Sequence, residues 1–220
     1  MEKFTGVKKK LLIFDLDGTL VDSKEDLAAS VNHTLKTLGK EPLPPEEIYA
    51  EVGGGARNLI EKALGEDGHL FGDAIKIFLD HYEEHLLDTT RPYEGVVEAL
   101  EENLGRFTYS LLTNKPLYLT EKLLRGLSME HLFHVVAGGD TFSTKKPDPE
   151  GVLSLISLAG VSREETLIVG DSRNDVLAGR NAGVDVCGVT YGIGARDFSL
   201  YPPTFTIDSF PDLFRAVTPA

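Results

Sequence analysis

The stretch Leu11-Leu12-Ile13-Phe14-Asp15-Leu16-Asp17-Gly18-Thr19-Leu20 decides the fold of this chain. It begins with an uninterrupted apolar run, which is typical of a strand buried on both faces of a parallel sheet. The run ends at two carboxylates, Asp15 and Asp17, which an extended chain projects to one side. In open α/β sheets, ligands bind beyond the carboxyl ends of the strands. The stretch therefore predicts a functional site after the first core strand, although an isolated D-x-D is equally compatible with a solvated turn.

Length and charge restrict the class of protein before the other motifs are considered. The chain has 220 residues, enough for one large domain or for a core with a smaller second domain. Its formal net charge is −13 at pH 7, which disfavours nucleic acid and anionic membranes as main partners. An anionic substrate would then need local positive charge from a metal ion, lysines or helix N-termini. We therefore expect no nucleic-acid partner and no membrane partner.

The cysteine content and the N-terminal sequence favour a cytoplasmic protein. The single cysteine, Cys187, excludes an internal disulfide framework and suits a reducing compartment. Its valine-rich surroundings predict a buried, unreactive thiol on a strand. The basic residues 8–10 precede an apolar run that is too short for a signal peptide, and no apolar run is long enough to span a bilayer.

The order of the expected elements predicts an α/β architecture. Residues 22–91 show helical patterns and no convincing strand, whereas apolar strands alternate with helices from residue 92 onwards. Such alternation is typical of a doubly wound parallel sheet. We therefore predict a Rossmann-like core of residues 1–21 and 92–220, with an alpha-helical domain of residues 22–91 inserted after the first strand. Near the start of this insertion, Ser23 with Asp26 three positions later predicts a capping box.

Two further polar clusters follow expected strand ends or open expected helices. The first contains Thr113 and Asn114, which either cap the next helix or bind phosphate at its N-terminus. The second contains Lys145 and Lys146. These lysines are either a solvated pair or, if the following proline holds Lys146 inward, a source of positive charge for a phosphate.

A third cluster contains Asp171 and Asp175, four residues apart across a strand-to-helix turn. One such acid ordinarily caps a helix, but two of them after a buried strand favour a functional interpretation. Asp15, Asp17 and Asp171 crowded together would repel each other and raise each other's pKa. A divalent cation removes this repulsion, and an all-oxygen set of ligands suits Mg²⁺. The acids therefore predict a magnesium site.

Taken in this order, the clusters resemble the four motifs of the haloacid dehalogenase-like phosphatases, at residues 15–21, 113–116, 145–149 and 169–175. The resemblance covers nearly the whole chain, because residues 22–91 stand where that family has its alpha-helical cap. Within the family, residues 113–116 and 189–192 look most like those of the phosphoglycolate phosphatases. The resemblance implies a small phosphate monoester as substrate, with 2-phosphoglycolate favoured, and a monomer or a homodimer.

The resemblance also implies a role for each motif residue. Asp15 would attack phosphorus and form an aspartyl phosphate, and Asp17 would act first as general acid and then as general base. Thr113 and Lys146 would assist this catalysis. The implied phosphate- and substrate-binding residues of the core are Thr113, Asn114 and Lys146. The implied ligands of Mg²⁺ are Asp15, Asp17 through its backbone carbonyl, Asp171 and Asp175.

Two features of the inserted helices have both a structural and a functional interpretation. Residues 53–55 are three glycines without the Gly-Lys-Ser/Thr ending of a P-loop, so they form either a flexible loop or a substrate-facing loop. In the second case Gly54 and Arg57 would bind the far end of the substrate, since a guanidinium fork suits a carboxylate. His81 and His85 lie four residues apart, as metal ligands can, but they flank the apolar face of a helix.

The sequence leaves two other functions open. A phosphosugar mutase, resembling beta-phosphoglucomutase, would share the aspartyl-phosphate step and return the phosphate to the sugar, and the inserted helices would decide between the two enzymes. A non-catalytic phosphate-binding module is disfavoured, because the chain holds the complete set of motif acids and a binder needs no nucleophile.

Overall fold

The computed structural model describes residues 7–220, and a parallel sheet of six strands forms its centre. The strands, in chain order, are β1 (Val7–Lys9), β2 (Leu11–Phe14), β3 (Val21–Asp22), β4 (Arg91–Pro92), β5 (Thr108–Leu112), β6 (Val135–Ala137), β7 (Thr166–Gly170), β8 (Asp185–Val189), β9 (Phe205–Ile207) and β10 (Val217–Pro219). The order in the sheet is β6-β5-β2-β7-β8-β9, and every neighbouring pair is parallel. Residues 1–6 of the predicted core lie outside the described residues.

Helices cover both faces of this sheet. The α-helices of the described residues are α1 (Lys24–Thr37), α2 (Pro45–Tyr49), α3 (Ala56–Leu64), α4 (Phe71–Glu84), α5 (Val96–Glu102), α6 (Leu117–Gly126), α7 (Glu150–Ala159), α8 (Arg173–Ala182) and α9 (Leu213–Ala216). None of the helices within residues 7–220 combines the length and the apolar character that crossing a bilayer requires.

The residues of β2 divide between two buried clusters, which explains why this strand has no polar alternation. Leu12 and Phe14 pack in a cluster that includes residues of α5, α6 and α9. Leu11 and Ile13 pack in a second cluster with residues of α7 and α8. A strand that is covered on both sides must be apolar on both sides. The predicted doubly wound sheet is therefore confirmed.

The sheet topology places the expected motifs at one edge. β2 hydrogen-bonds to β5 on one side and to β7 on the other. Asp15 follows β2, Thr113 follows β5 and Asp171 follows β7. Since parallel strands have their carboxyl ends at the same edge, residues separated by more than 150 positions become neighbours.

Helices α1 to α4 form an insertion between β3 and β4. These two short strands pair antiparallel, Val21 with Pro92 and Asp22 with Arg91, so the chain leaves and re-enters the core at one place. The pair coincides with the predicted boundaries of residues 22–91. That this insertion is a separate domain stays a prediction.

The capping box predicted at the start of α1 is wrong. Ser23 Oγ donates to Asp17 Oδ1 at 2.6 Å and makes no bond to the helix end. Asp26 instead accepts five hydrogen bonds from the backbone and hydroxyl groups of Thr89 and Thr90, at 2.6 to 3.1 Å. Burial alone would raise the pKa of Asp26, but these hydrogen bonds outweigh burial and lower it. Asp26 thus joins α1 to the segment that returns to the core.

The N-terminal lysines contribute to structure that the sequence did not predict. β1 pairs in parallel with β10, outside the central sheet. The Lys9 side chain is buried, and its Nζ donates to Glu164 O, Thr166 O and Asp185 Oδ2 at 2.7 to 2.9 Å.

The predicted position of Cys187 is confirmed, because this residue is buried in β8. Burial raises the pKa of its thiol.

Loss of the Asp26 carboxylate should destabilise the protein more than loss of its exposed neighbour. Asp26→Ala leaves the donors of Thr89 and Thr90 without an acceptor, and buried unpaired donors are costly. We expect the free energy of unfolding to fall by about 3 kcal/mol in urea titrations. Glu25→Ala, at an exposed position of α1, is the matched control and should change it by less than about 0.5 kcal/mol. Equal losses in the two variants would contradict the anchoring role.

Candidate active site

Asp15 is a buried carboxylate at the carboxyl end of β2. Its backbone N–H donates to Val169 O at 2.9 Å, which continues the pairing with β7. Its Oδ1 accepts hydrogen bonds from Leu16 N at 2.7 Å and lies 2.9 Å from Lys146 Nζ. Burial raises the pKa of Asp15 to about 7; Lys146 opposes this rise and Asp175 adds to it. Asp15 also lines a cavity between the sheet edge and the insertion, so a substrate can reach it.

One lysine is shared by the carboxylates around Asp15. Asp15, Asp171 and Asp175 each place an oxygen within 4.8 Å of the others. Lys146 Nζ lies 2.6 Å from Asp175 Oδ1 as well as close to Asp15. Burial raises the pKa of Asp171 well above its usual value, and the two neighbouring acids add to the rise. The three acids therefore hold more negative charge than Lys146 alone balances. The inward position predicted for Lys146 is confirmed, since its side chain is buried.

This group of oxygens fits a magnesium ion. The donors are hard carboxylates, and burial together with the neighbouring acids raises the pKa values of Asp15 and Asp171, which a bound cation would offset. Two glycines leave no room beside Asp171: a Cβ on Gly18 would lie 2.2 Å from Asp171 Oδ2, and one on Gly192 would lie 2.1 Å from Asp171 Cβ. Asp15, Asp171 and Asp175 are the residues that would hold the ion. A contribution from the backbone carbonyl of Asp17 stays a prediction.

Asp175 is oriented by the first turn of α8. A capping box does occur here: Asp175 Oδ2 accepts hydrogen bonds from Ser172 N at 3.1 Å and from Ser172 Oγ at 2.8 Å. Its other oxygen, Oδ1, is left for Lys146. The helix start thus fixes the carboxylate that positions the lysine.

Asp17 lies outside the group of three acids and has a lysine of its own. Lys115 Nζ donates to both carboxylate oxygens of Asp17, at 2.8 and 2.9 Å, and Ser23 Oγ donates to one of them. The same Nζ donates to Tyr82 OH at 2.7 Å, and Tyr82 belongs to α4 of the insertion. Burial opposes the charge on Lys115, but Asp17 and Tyr82 hold the pKa of this lysine well above its usual value.

Sequence reasoning missed the role of Lys115 and Tyr82. In the sequence, Lys115 lies inside the motif at residues 113–116, and Tyr82 lies next to His81 in a helical stretch of the insertion. The available signal is the place of Lys115, three positions after the last residue of the strand, Leu112. The partner of Tyr82 lies 33 residues further along the chain, which no local pattern reveals.

Thr113 and Asn114 follow β5 and line the same cavity as Asp15, but neither caps α6. The first N–H of that helix, on Leu117, donates to Asp140 Oδ1 at 2.8 Å, so the capping interpretation is wrong. Asn114 Nδ2 donates to Gly53 O and to Lys146 O, both at 2.9 Å. Its Oδ1 is buried and has no hydrogen-bond partner among the described residues.

The glycine loop of the insertion packs directly on the core. Gly53 O accepts hydrogen bonds from Asn114 Nδ2 and from Asn174 Nδ2, the latter at 3.1 Å. Gly54 O accepts one from Lys145 Nζ at 3.2 Å. Gly55 has a φ of 84°, and a Cβ there would lie 2.8 Å from Asn114 O. Glycine therefore permits this close approach. Contact of the loop with a substrate stays a prediction.

Arg57 and Gly54 line a second, wider cavity that adjoins the loop, rather than the cavity beside Asp15. Arg57 Nη1 lies 2.9 Å from Glu61 Oε1, and the guanidinium sits 4.5 Å from the centre of the Phe71 ring. Its side chain is 66% exposed. Binding of a substrate by Arg57 or Gly54 stays a prediction.

His81 and His85 stack on each other instead of converging on a shared point. Their ring centres lie 4.3 Å apart, and their Nδ1 atoms contact Ser30 Oγ and Asp88 Oδ2. Among the described residues, the group of three or more clustered metal-ligand side chains consists of aspartates only. The stacking therefore agrees with the structural interpretation of these histidines.

Comparison with known proteins agrees with this geometry. A family model described as haloacid dehalogenase-like hydrolase matches residues 12–189. The chain belongs to the haloacid dehalogenase-like hydrolases. The matched residues include every acid and lysine of the site described above.

Relatives of this hydrolase match it over nearly their whole length. It is 39% identical over 216 residues to a phosphoglycolate phosphatase of Colwellia psychrerythraea, which covers 94% of this chain and 96% of the relative. It is 35% identical over 207 residues to a phosphoglycolate phosphatase of Aquifex aeolicus, covering 94% and 95%. A crystal structure of a predicted phosphoglycolate phosphatase from Haemophilus somnus superposes with a TM-score of 0.88 and 31% identity, covering 93% and 96%.

The raised pKa of Asp15 predicts that stabilisation by Mg²⁺ grows with pH. The folded metal-free protein holds protons that its unfolded chain releases, so its stability should fall as pH rises from 3.8 to about 7. Below about pH 7 Mg²⁺ must displace the proton from Asp15, whereas above about pH 7 this carboxylate is already charged. We expect saturating MgCl₂ to raise Tm by about 5 °C at pH 8 and by less than about 1 °C at pH 5.

Asp171→Asn is the control for this measurement, because it removes one oxygen donor of the group and should abolish the shift at pH 8. An equal shift of wild-type Tm at both pH values would contradict binding of the ion by the buried aspartates.

Proposed function

We propose that this hydrolase is a Mg²⁺-dependent phosphatase of small phosphate monoesters, that 2-phosphoglycolate is its substrate, and that the reaction proceeds through an aspartyl phosphate on Asp15. The observation that carries the proposal is that Asp15 and Asp17 line one cavity but have separate lysine partners. A nucleophile and an acid are thus available to one substrate. The names of the relatives support the choice of substrate.

In the proposed reaction Asp15 attacks phosphorus and the bond from phosphorus to the alcohol oxygen breaks. Asp17 gives the alcohol a proton and then takes one from the water that attacks the aspartyl phosphate. Lys146 and Thr113 bind the phosphoryl oxygens. Bound Mg²⁺ supplies positive charge that offsets the charge on these oxygens and on the carboxylates. The products are the alcohol and inorganic phosphate.

The cavity beside Asp15 favours a small leaving group. Its volume is only about 30 Å³, and residues of the insertion cover it. Val52, Leu59 and Phe78 of the insertion contribute apolar side chains to its lining. The glycine loop, which is hydrogen-bonded to the core, limits the room further. A short alcohol fits such a space better than a hexose does.

A substrate screen tests the proposal. Release of inorganic phosphate is measured for 2-phosphoglycolate, several hexose phosphates and p-nitrophenyl phosphate, with phosphosugar isomers monitored in the same reactions. We expect kcat/KM for 2-phosphoglycolate to exceed that for the hexose phosphates by at least about tenfold. EDTA should abolish the activity, and Mg²⁺ but not Ca²⁺ should restore it, because Ca²⁺ prefers more ligands in a looser geometry.

Each other outcome identifies a different function. Phosphate release with a preference for hexose phosphates would refute 2-phosphoglycolate as the substrate but would still support phosphatase activity. Interconversion of phosphosugars without net phosphate release would indicate a mutase. Absence of turnover with every ester in Mg²⁺ would indicate a phosphate-binding module.

A further inference from the structure

The leaving-group side of the active-site cavity contains a single cationic side chain among the described residues that line it. That side chain is Lys115. Arg57 lines the neighbouring cavity, and Lys146 contacts Asp15 and Asp175 on the phosphate side. An anionic leaving group that enters this cavity therefore meets Lys115.

Tyr82 adds a second donor at the same place. Its hydroxyl oxygen accepts the hydrogen bond from Lys115 Nζ at 2.7 Å, so the proton of the hydroxyl is not used in that bond. Both residues line the cavity, so the hydroxyl proton is available there to an acceptor. The three N–H groups of the ammonium lie on the two oxygens of Asp17 and on Tyr82, so Lys115 reaches a new carboxylate by exchanging one of its bonds to Asp17. A carboxylate has two acceptor oxygens and suits such a pair.

The surroundings make this pair more selective than it would be in water. Leu27, Leu59 and Phe78 are buried and line the same cavity. A carboxylate among such side chains is destabilised unless a cation accompanies it, and charge–charge attraction is stronger where water is excluded. Lys115 also stands next to Asp17 and so offsets the repulsion between this acid and an anionic leaving group.

We propose that Lys115, assisted by Tyr82, binds a carboxylate on the leaving group and thereby selects phosphate monoesters whose alcohol bears a carboxylate. This inference rests on the proposed function and names the residues that determine its substrate class. The ammonium of Lys115 exchanges part of its contact with Asp17 for the substrate carboxylate. When an ester without a carboxylate binds, Lys115 keeps both of its hydrogen bonds to Asp17.

A different role for Lys115 makes a different prediction. If Lys115 served only to position Asp17, its loss would slow every ester of a simple alcohol equally, since each leaving oxygen needs the same proton. If it binds the carboxylate, its loss affects chiefly the esters that have one. The test therefore compares the kcat/KM values of an ester with a carboxylate and an ester without one, and uses their ratio rather than either rate alone.

The substrates are 2-phosphoglycolate and 2-hydroxyethyl phosphate, which has a hydroxymethyl group in place of the carboxylate. We expect Lys115→Met to lower the ratio of their kcat/KM values by about 30-fold or more, and Tyr82→Phe to lower it by about fivefold. Lys122→Met is the matched control, because Lys122 on α6 also reaches the insertion, 3.1 Å from Glu83 Oε1, but lies outside the cavity. Its ratio should equal that of wild type.

Three results would overturn the inference. The first is an equal loss on both substrates in a folded Lys115→Met protein, which leaves the proposed phosphatase intact. The second is a ratio that survives in Lys115→Met and collapses in Arg57→Ala, which moves carboxylate recognition to Arg57. The third is a wild type that hydrolyses neither ester, which removes the proposed function itself. If Lys115→Met does not fold, Lys115→Gln and Tyr82→Phe provide the same comparison.

Discussion

Repulsion between buried carboxylates at one edge of the sheet is the constraint on which the site depends. Asp15 and Asp171 follow the adjacent buried strands β2 and β7, and Asp175 follows at the start of α8. Burial and mutual repulsion raise the pKa values of Asp15 and Asp171. Lys146 compensates part of this charge by contacting Asp15 and Asp175. These carboxylates would hold a divalent cation, and the cation would in turn offset the charge of a bound phosphate.

The same constraint separates the two aspartates of the first motif. Asp15 belongs to the group shared with Lys146, whereas Asp17 is held by Lys115 and Ser23. Two acids that are two residues apart therefore sit in different electrostatic surroundings. This suits a reaction in which one carboxylate forms a bond to phosphorus and the other transfers protons. Tyr82 of the insertion accepts a hydrogen bond from Lys115, the lysine that holds Asp17. The insertion therefore takes part in the site as well as covering it.

Local pattern was sufficient for the sheet and for the acids but not for their partners. The apolar run at residues 11–14 and the alternation of strands with helices after residue 92 predicted the parallel sheet. A strand that is buried on both faces is apolar throughout, so its own residues indicate its burial. The pattern of Ser23 and Asp26 failed since both side chains have tertiary partners, and Thr89 lies 63 positions from Asp26. Lys115 is 98 positions from Asp17, so only the folded chain reveals that pair. Gly54 and Arg57 line a neighbouring cavity, which motif spacing cannot show.

Phosphorylation of Asp15 is tested most directly by trapping the covalent intermediate. The protein is mixed with 2-phosphoglycolate and Mg²⁺, quenched in acid within one turnover and reduced with borohydride, which converts an aspartyl phosphate to homoserine. Peptide mass spectrometry should then find homoserine at position 15 in the wild type and none in Asp15→Asn. Homoserine at position 17 or 171, or its absence at every aspartate during measurable turnover, would contradict Asp15 as the nucleophile.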